Sequence, residues 1–302
     1  SNYDSEMYVV ELPSGERLLD VVGTLGLCSP LSGSFSPDGR YLAVASDPGE
    51  GTCTGDLRSW YEIFVIDLDA PTGVPMRITE NGVPDEDPHF GPDGQTLYFK
   101  HDNHLAYVQF PPSQPFNDCS TAGGFCFNHG GGEQSKPVVS PDGNRIFYHE
   151  ASGVAADVFC FPLSQRDQAM HDHRIDVATT PNLGEARPAI FGEFIYYVRH
   201  WSSSNLNNLI VRQPLNDLGG DAEETAGFVR GGQYDYADPA ALTGALMVYS
   251  TDESASGSHD LFVAEFASDT GVSIDELLTD RALAVGSDLA ADDVLVIVSP
   301  DA

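Results

Sequence analysis

Nine histidines, five cysteines and 46 acidic residues are the groups in this 302-residue chain with chemistry to offer. The closest histidine spacings are His101 with His104 and the run Met170-His171-Asp172-His173; His89, His129, His149 and His200 stand apart. On a strand, a His-x-His pair puts both rings on one face, a workable start for a zinc or copper site. No third ligand follows at a diagnostic spacing, so histidines serving structure or surface are the expectation, with a catalytic metal centre as the competing reading. Calcium at the Asp-rich loops is the other divalent cation left open, although no EF-hand spacing is present. Neither GxSxG, nor a P-loop, nor GxGxxG opening a helix occurs. Gly130-Gly131-Gly132 lies between apolar runs and reads as a flexible turn. Trp60, Trp201, Tyr234 and Tyr236 offer rings for stacking on a sugar, but aromatics at strand ends more often pack sheets together. No cofactor is expected.

Cys119 and Cys126 bracket a small Ser/Gly-rich loop that can close as a disulfide in an oxidising compartment. Cys28 and Cys53 flank one repeat and can form a second pair, while Cys160, inside Val158-Phe159-Cys160-Phe161, is expected to be a buried thiol. No pair has CxxC spacing, so a cysteine zinc site is not expected. The charge is −32, with Lys100 and Lys136 the only lysines. Such a chain repels nucleic acid and anionic lipid and favours basic protein or peptide partners. No apolar run approaches the ~20 residues of a membrane helix.

These groups are carried by an internal repeat. Ser34-Phe-Ser-Pro-Asp-Gly39, His89-Phe-Gly-Pro-Asp-Gly94 and Val138-Val-Ser-Pro-Asp-Gly143 each stand between apolar runs, and weaker copies begin at Pro188 and Pro239. Prolines 88, 137, 188 and 239 recur at intervals of 49, 51 and 51 residues. Proline sets the first corner of the turn and Asp-Gly completes the reversal, so each copy predicts a hairpin of two strands, A and B. Third strands are predicted at 61–68, 105–110, 157–161, 208–212 and 260–266, and polar fourth strands at 76–79 and 174–178. Four antiparallel strands per ~50 residues describe a propeller blade. The expected fold is all-β: a six-bladed β-propeller with four-stranded antiparallel blades, one domain over residues 1–302. Its last blade is closed by N-terminal strands, residues 282–302 supplying A and B and residues 5–24 supplying C and D.

The Phe-Ser-Pro-Asp-Gly repeats, each followed by an apolar strand, resemble the WD-repeat-like repeats of the TolB propeller family. The resemblance implies a six-bladed ring, exported to the periplasm, cell surface or medium, serving as a protein-interaction platform. In this topology one face gathers the residues before each strand A and after each strand B. Those are Asp85, Glu86 and Asp87 with His89; Glu133; Glu185; Asp235, Tyr236 and Asp238; and His101, Glu150, Arg199, His200 and Asp252. They are the candidate binding residues. The leading expectation is a monomeric, non-enzymatic propeller binding a protein, a basic peptide or a small ligand through this acidic, histidine-bearing mouth. The alternative is a metal-dependent lyase or hydrolase with a histidine cluster in the channel.

Overall fold

A computed structural model describes residues 7–11, 16–48, 61–128, 132–152, 155–179, 184–200, 208–218, 223–224, 236–241, 246–251 and 260–265. The first strands, β1 (Tyr8–Glu11) and β2 (Glu16–Asp20), form an antiparallel pair. The 282–302 half of the predicted closing blade lies outside the described residues. A short helix, α1 (Val21–Leu25), follows, beginning inside residues 5–24 where only strands C and D were expected. Gly26, at φ +68°, ends it in the left-handed conformation that stops helices.

Four four-stranded antiparallel sheets come next. The first orders β3 (Cys28–Phe35), β4 (Tyr41–Asp47), β5 (Glu62–Asp67) and β6 (Met76–Arg77). The second orders β7 (Asp85–Phe90), β8 (Thr96–His101), β9 (His104–Gln109) and β10 (Gly124–Cys126). The third orders β11 (Glu133–Val139), β12 (Arg145–Ser152), β13 (Ala155–Pro162) and β14 (Ile175–Ala178), with a helical turn, α2 (Met170–His173), before its last strand. The fourth orders β15 (Gly184–Phe191), β16 (Phe194–His200), β17 (Asn208–Pro214) and β18 (Glu223–Glu224). A three-stranded sheet, β19 (Tyr236–Ala241), β20 (Leu246–Thr251) and β21 (Asp260–Glu265), follows. The described residues fall into two compact units. One holds those of Ser1–Phe147 and Phe161–Arg174, the other those of Tyr148–Cys160 and Ile175–Val298, so the division runs through the third sheet.

Each Pro-Asp-Gly corner works as its residue types require. Gly39, Gly94 and Gly143 sit at φ +64° to +71°, where a side chain would be strained. In the first corner the Ser36 hydroxyl donates to Asp38 (2.6 Å), whose carboxylate accepts the Arg40 amide (3.1 Å). Ser140 and Asp142 repeat this pair at 2.5 Å. In the second corner Gly91 replaces the serine, and Thr96 supplies the hydroxyl to Asp93 (2.8 Å).

In the first unit the core lies between the first two sheets. Ala43, Ala45, Ile63, Val65 and Ile78 face Phe90, Leu97, Phe99, Val108, Phe110 and Phe116. Alanines on one sheet make room for phenylalanines on the other, the interdigitation that close packing demands. The loop between β9 and β10 is closed by the Cys119–Cys126 disulfide, with Cα atoms 5.2 Å apart. Cys28 is also disulfide-bonded; its expected partner, Cys53, lies outside the described residues. Cys160 is a buried thiol outside any disulfide. Replacing Cys119 and Cys126 together by serine frees a short loop in the unfolded chain, for which loop-closure entropy predicts a loss of about 2.5 kcal/mol. A chemical denaturation midpoint measured without reductant checks this.

Candidate functional site

The start of each inner strand and the end of the next strand face each other in the ladder. Asp85 pairs in register with His101, and Glu185 with Arg199. These places were expected to carry charge, and they do, but the charge is spent inside the protein. Asp85 is fully buried. It takes the His101 Nδ1 contact at 2.7 Å and accepts a hydrogen bond from the Asn81 amide at 2.6 Å. Glu185, also fully buried, accepts from Arg199 Nε at 3.3 Å. Lys100 Nζ lies 3.0 Å from Glu86 and 2.5 Å from Glu133, joining two of the predicted carboxylates through one cation. Glu150 is buried on β12.

Asp87 is 8% exposed. Its carboxylate meets Lys136 Nζ at 2.7 Å and accepts the Lys136 backbone amide at 3.2 Å, while its own amide donates to Ser32 Oγ at 3.0 Å. Three inner strands of the first unit, β3, β7 and β11, are thereby stitched together. The backbone here is unusual. Asp87, Lys136 and Arg187 sit at φ +53°, +53° and +57°, each directly before a repeat proline. A residue before proline is normally extended. A left-handed non-glycine residue stores strain of order 1–3 kcal/mol, which surrounding structure must hold. The ladder register slips at this point in β7 and β15, so a bulge turns these side chains out of the strand. Lys136 is about one-third exposed and Arg187 is exposed. Within the second unit the Arg187 amide donates to His149 Nδ1 at 3.4 Å.

The electrostatics follow from burial. Burial opposes a charged His101, but the hydrogen bond and charge of Asp85 outweigh it, with Asp102 and Glu62 adding, and its pKa rises. Glu62, on β5, is driven up by burial. It accepts from the Thr79 hydroxyl (2.6 Å), the Asn81 amide (2.9 Å) and Arg77 (3.3 Å). For Lys100, burial is outweighed by Glu133 and Glu86, and its pKa rises. His89 is half-buried by area, and desolvation lowers its pKa to about 4.

His171 and His173 lie in α2, not on a strand, and both are exposed. Two residues apart on a helix they point to different sides, so they make no ligand pair. His101 and His104 face each other across the β8–β9 turn. Among the described residues no three His, Cys, Asp or Glu side chains gather to hold a metal ion. His129, Asp235 and Asp252 lie outside the described residues; for His200, Tyr236 and Asp238 only the strand position is described, on β16 and β19. In the sequence Lys136 and Arg187 stand out only as the ends of the segments before strand A, and Glu62 and Asn81 not at all. For the first two a signal existed, since each precedes a repeat proline; for Glu62 and Asn81 nothing local marks them.

No family model matches the sequence, and no curated protein does. Solved structures do match. A protein described as TolB from Agrobacterium tumefaciens is 17% identical, with 73% of each chain covered and a TM-score of 0.54. Nidogen, solved in complex with laminin, is 10% identical over 88% of this chain and 87% of its own, with a TM-score of 0.59. The tricorn protease is 16% identical over 87% of this chain but 24% of its own, with a TM-score of 0.56. With its repeated four-stranded antiparallel sheets, the chain is a β-propeller resembling those of TolB, nidogen and tricorn; four complete blades are described.

Proposed function

We propose that the chain is a non-enzymatic binding propeller of six blades, closed by its N-terminal strands and working as a monomer outside the cytoplasm. It recognises a protein or peptide through charged residues that the blades' inner strands display. The observation that carries this is the repeated left-handed residue before proline. Strained non-glycine backbone held in place by packing clusters at ligand-contacting positions; here it presents Lys136 and Arg187, each within its own unit, with the buried Asp87 carboxylate pinning Lys136. Asp238 holds the same pre-proline place on β19. The charge of −32 favours a basic partner by long-range attraction. The disulfides support an oxidising location.

The test is capture from the native extracytoplasmic fraction by wild-type bait, by Lys136→Ala and by Arg187→Ala, with the thermal midpoint of each bait recorded. The expected result is one partner retained by wild type and depleted severalfold by at least one variant whose midpoint matches wild type. Equal capture by all three sinks the reading. The metal-dependent alternative requires converging ligands, and no described cluster favours it.

A further inference from the structure

In the first unit, the loop 111–123 does not simply join β9 to β10. It reaches back across the seam to the first blade. The Phe116 amide donates to the Ile78 carbonyl (2.8 Å), and the Glu80 amide donates to the Phe116 carbonyl (2.9 Å). Phe116 is fully buried, its ring edge-on to Phe99 at 5.1 Å and to His101 at 5.2 Å. Behind Phe116 the Thr121 hydroxyl accepts the amides of Asn117 (2.9 Å) and Asp118 (3.1 Å), and the Cys119–Cys126 bond closes the far end. The loop is a strap with one anchoring ring, and that ring rests on a histidine.

We propose that His101 is a protonation-controlled latch for this strap: its charged ring holds the strap across the seam between the first two blades, and loss of that charge releases it. Four carboxylates bear on the imidazole beside the Phe116 ring. Asp85 contacts it from β7, and Glu62 faces it from β5. Asp102 lies in the β8–β9 turn, with His104 opposite on β9. Asp118 belongs to the strap itself; its carboxyl is held low first by the Ser120 hydroxyl and amide, with the His101 charge adding. The nearby cation is Arg77, which is engaged with Glu62 and Glu80. A charged His101 therefore pairs with buried Asp85, offsets part of the Glu62 charge and attracts the strap. A neutral one leaves Asp85 and Glu62 facing each other in a buried seam and loses the pull on Asp118.

The direction follows from the raised pKa. The latch is fully engaged below the ordinary histidine value of 6.5 and is lost as pH rises through the folded value. Asn81 links the two carboxylates, its backbone amide donating to Glu62 and its side chain to Asp85, so the loss reaches both blades.

Amide hydrogen exchange, corrected for the intrinsic pH dependence, tests the latch in the full chain. Protection at the Phe116 and Glu80 amides falls severalfold as pH rises through the His101 titration, while protection within β4 and β8 stays level. In His101→Gln the strap protection is low and flat with pH. In the wild type alone, the His101 ring and the Phe116 amide titrate with one midpoint by NMR, a readout that holds even if the variant folds poorly. Protection that does not change across the titration, or separate midpoints for ring and amide, overturns the proposal.

Discussion

Between pH 6.5 and pH 4 the protein loses stability through His89. Its folded pKa of about 4 lies below the ordinary 6.5 because burial disfavours the charged ring. As pH falls, the unfolded chain takes up a proton that the folded ring refuses, so the imidazole's contribution is complete above 6.5 and gone near 4. A shift of that size corresponds to at most about 3 kcal/mol, and water reaching the open part of the ring reduces it. Other raised groups act in the opposite direction. Only Glu62 does so within this range: its raised folded value favours the folded state more as pH falls toward 4.5, whereas His101, raised above 6.5, changes its contribution only above this range. Substitution isolates the term. Val138 holds in β11 the place His89 holds in β7, each directly after the strand's proline. His89→Val therefore suits the site, and its urea midpoint is expected to decline less than that of wild type between pH 6.5 and 4. Parallel decline of the two proteins would show that His89 titrates normally in the fold.

Arg199→Met has the second large effect. Glu185 is fully buried, and Arg199 Nε contacts it at 3.3 Å. Taking one partner from a buried pair leaves a charge in low dielectric, a loss of about 3–5 kcal/mol. The guanidinium also lies over the Tyr197 ring at 5.9 Å and donates to its hydroxyl at 3.4 Å, so some packing goes with it. Burial pushes the Tyr197 hydroxyl up to about 12, so the phenol stays neutral and adds no second negative charge beside Glu185. In the double variant Glu185→Gln, Arg199→Met both charges of this pair are gone, and most of the loss is expected to return. A thermal or urea cycle over the four proteins checks this; equal loss in the single and double variants would assign the effect to packing at Tyr197.

Much of the fold was legible because its signals are local. Proline, aspartate and glycine define a turn through their own φ preferences and short side-chain bonds, as Ser36–Asp38 and Ser140–Asp142 show. The apolar runs at 61–68, 105–110 and 208–212 became strands within a few residues of the expected bounds. The strands β10 and β18 were missed because three and two residues cannot show a period. Val21 and Val22 suit the end of a strand by their β-branched side chains, but they open a short helix that Gly26 ends.

The sequence by itself determined the repeat, its hairpins and the charged character of the residues flanking each inner strand, because these depend on neighbours a few positions apart. Only the tertiary structure decided what those charges do. Asp85 lies 16 residues from His101, and Asp87 lies 49 from Lys136. Burial left each carboxylate no stable alternative to an internal cation. Whether a charge meets water or a partner from another strand depends on how sheets pack, and no local pattern encodes that.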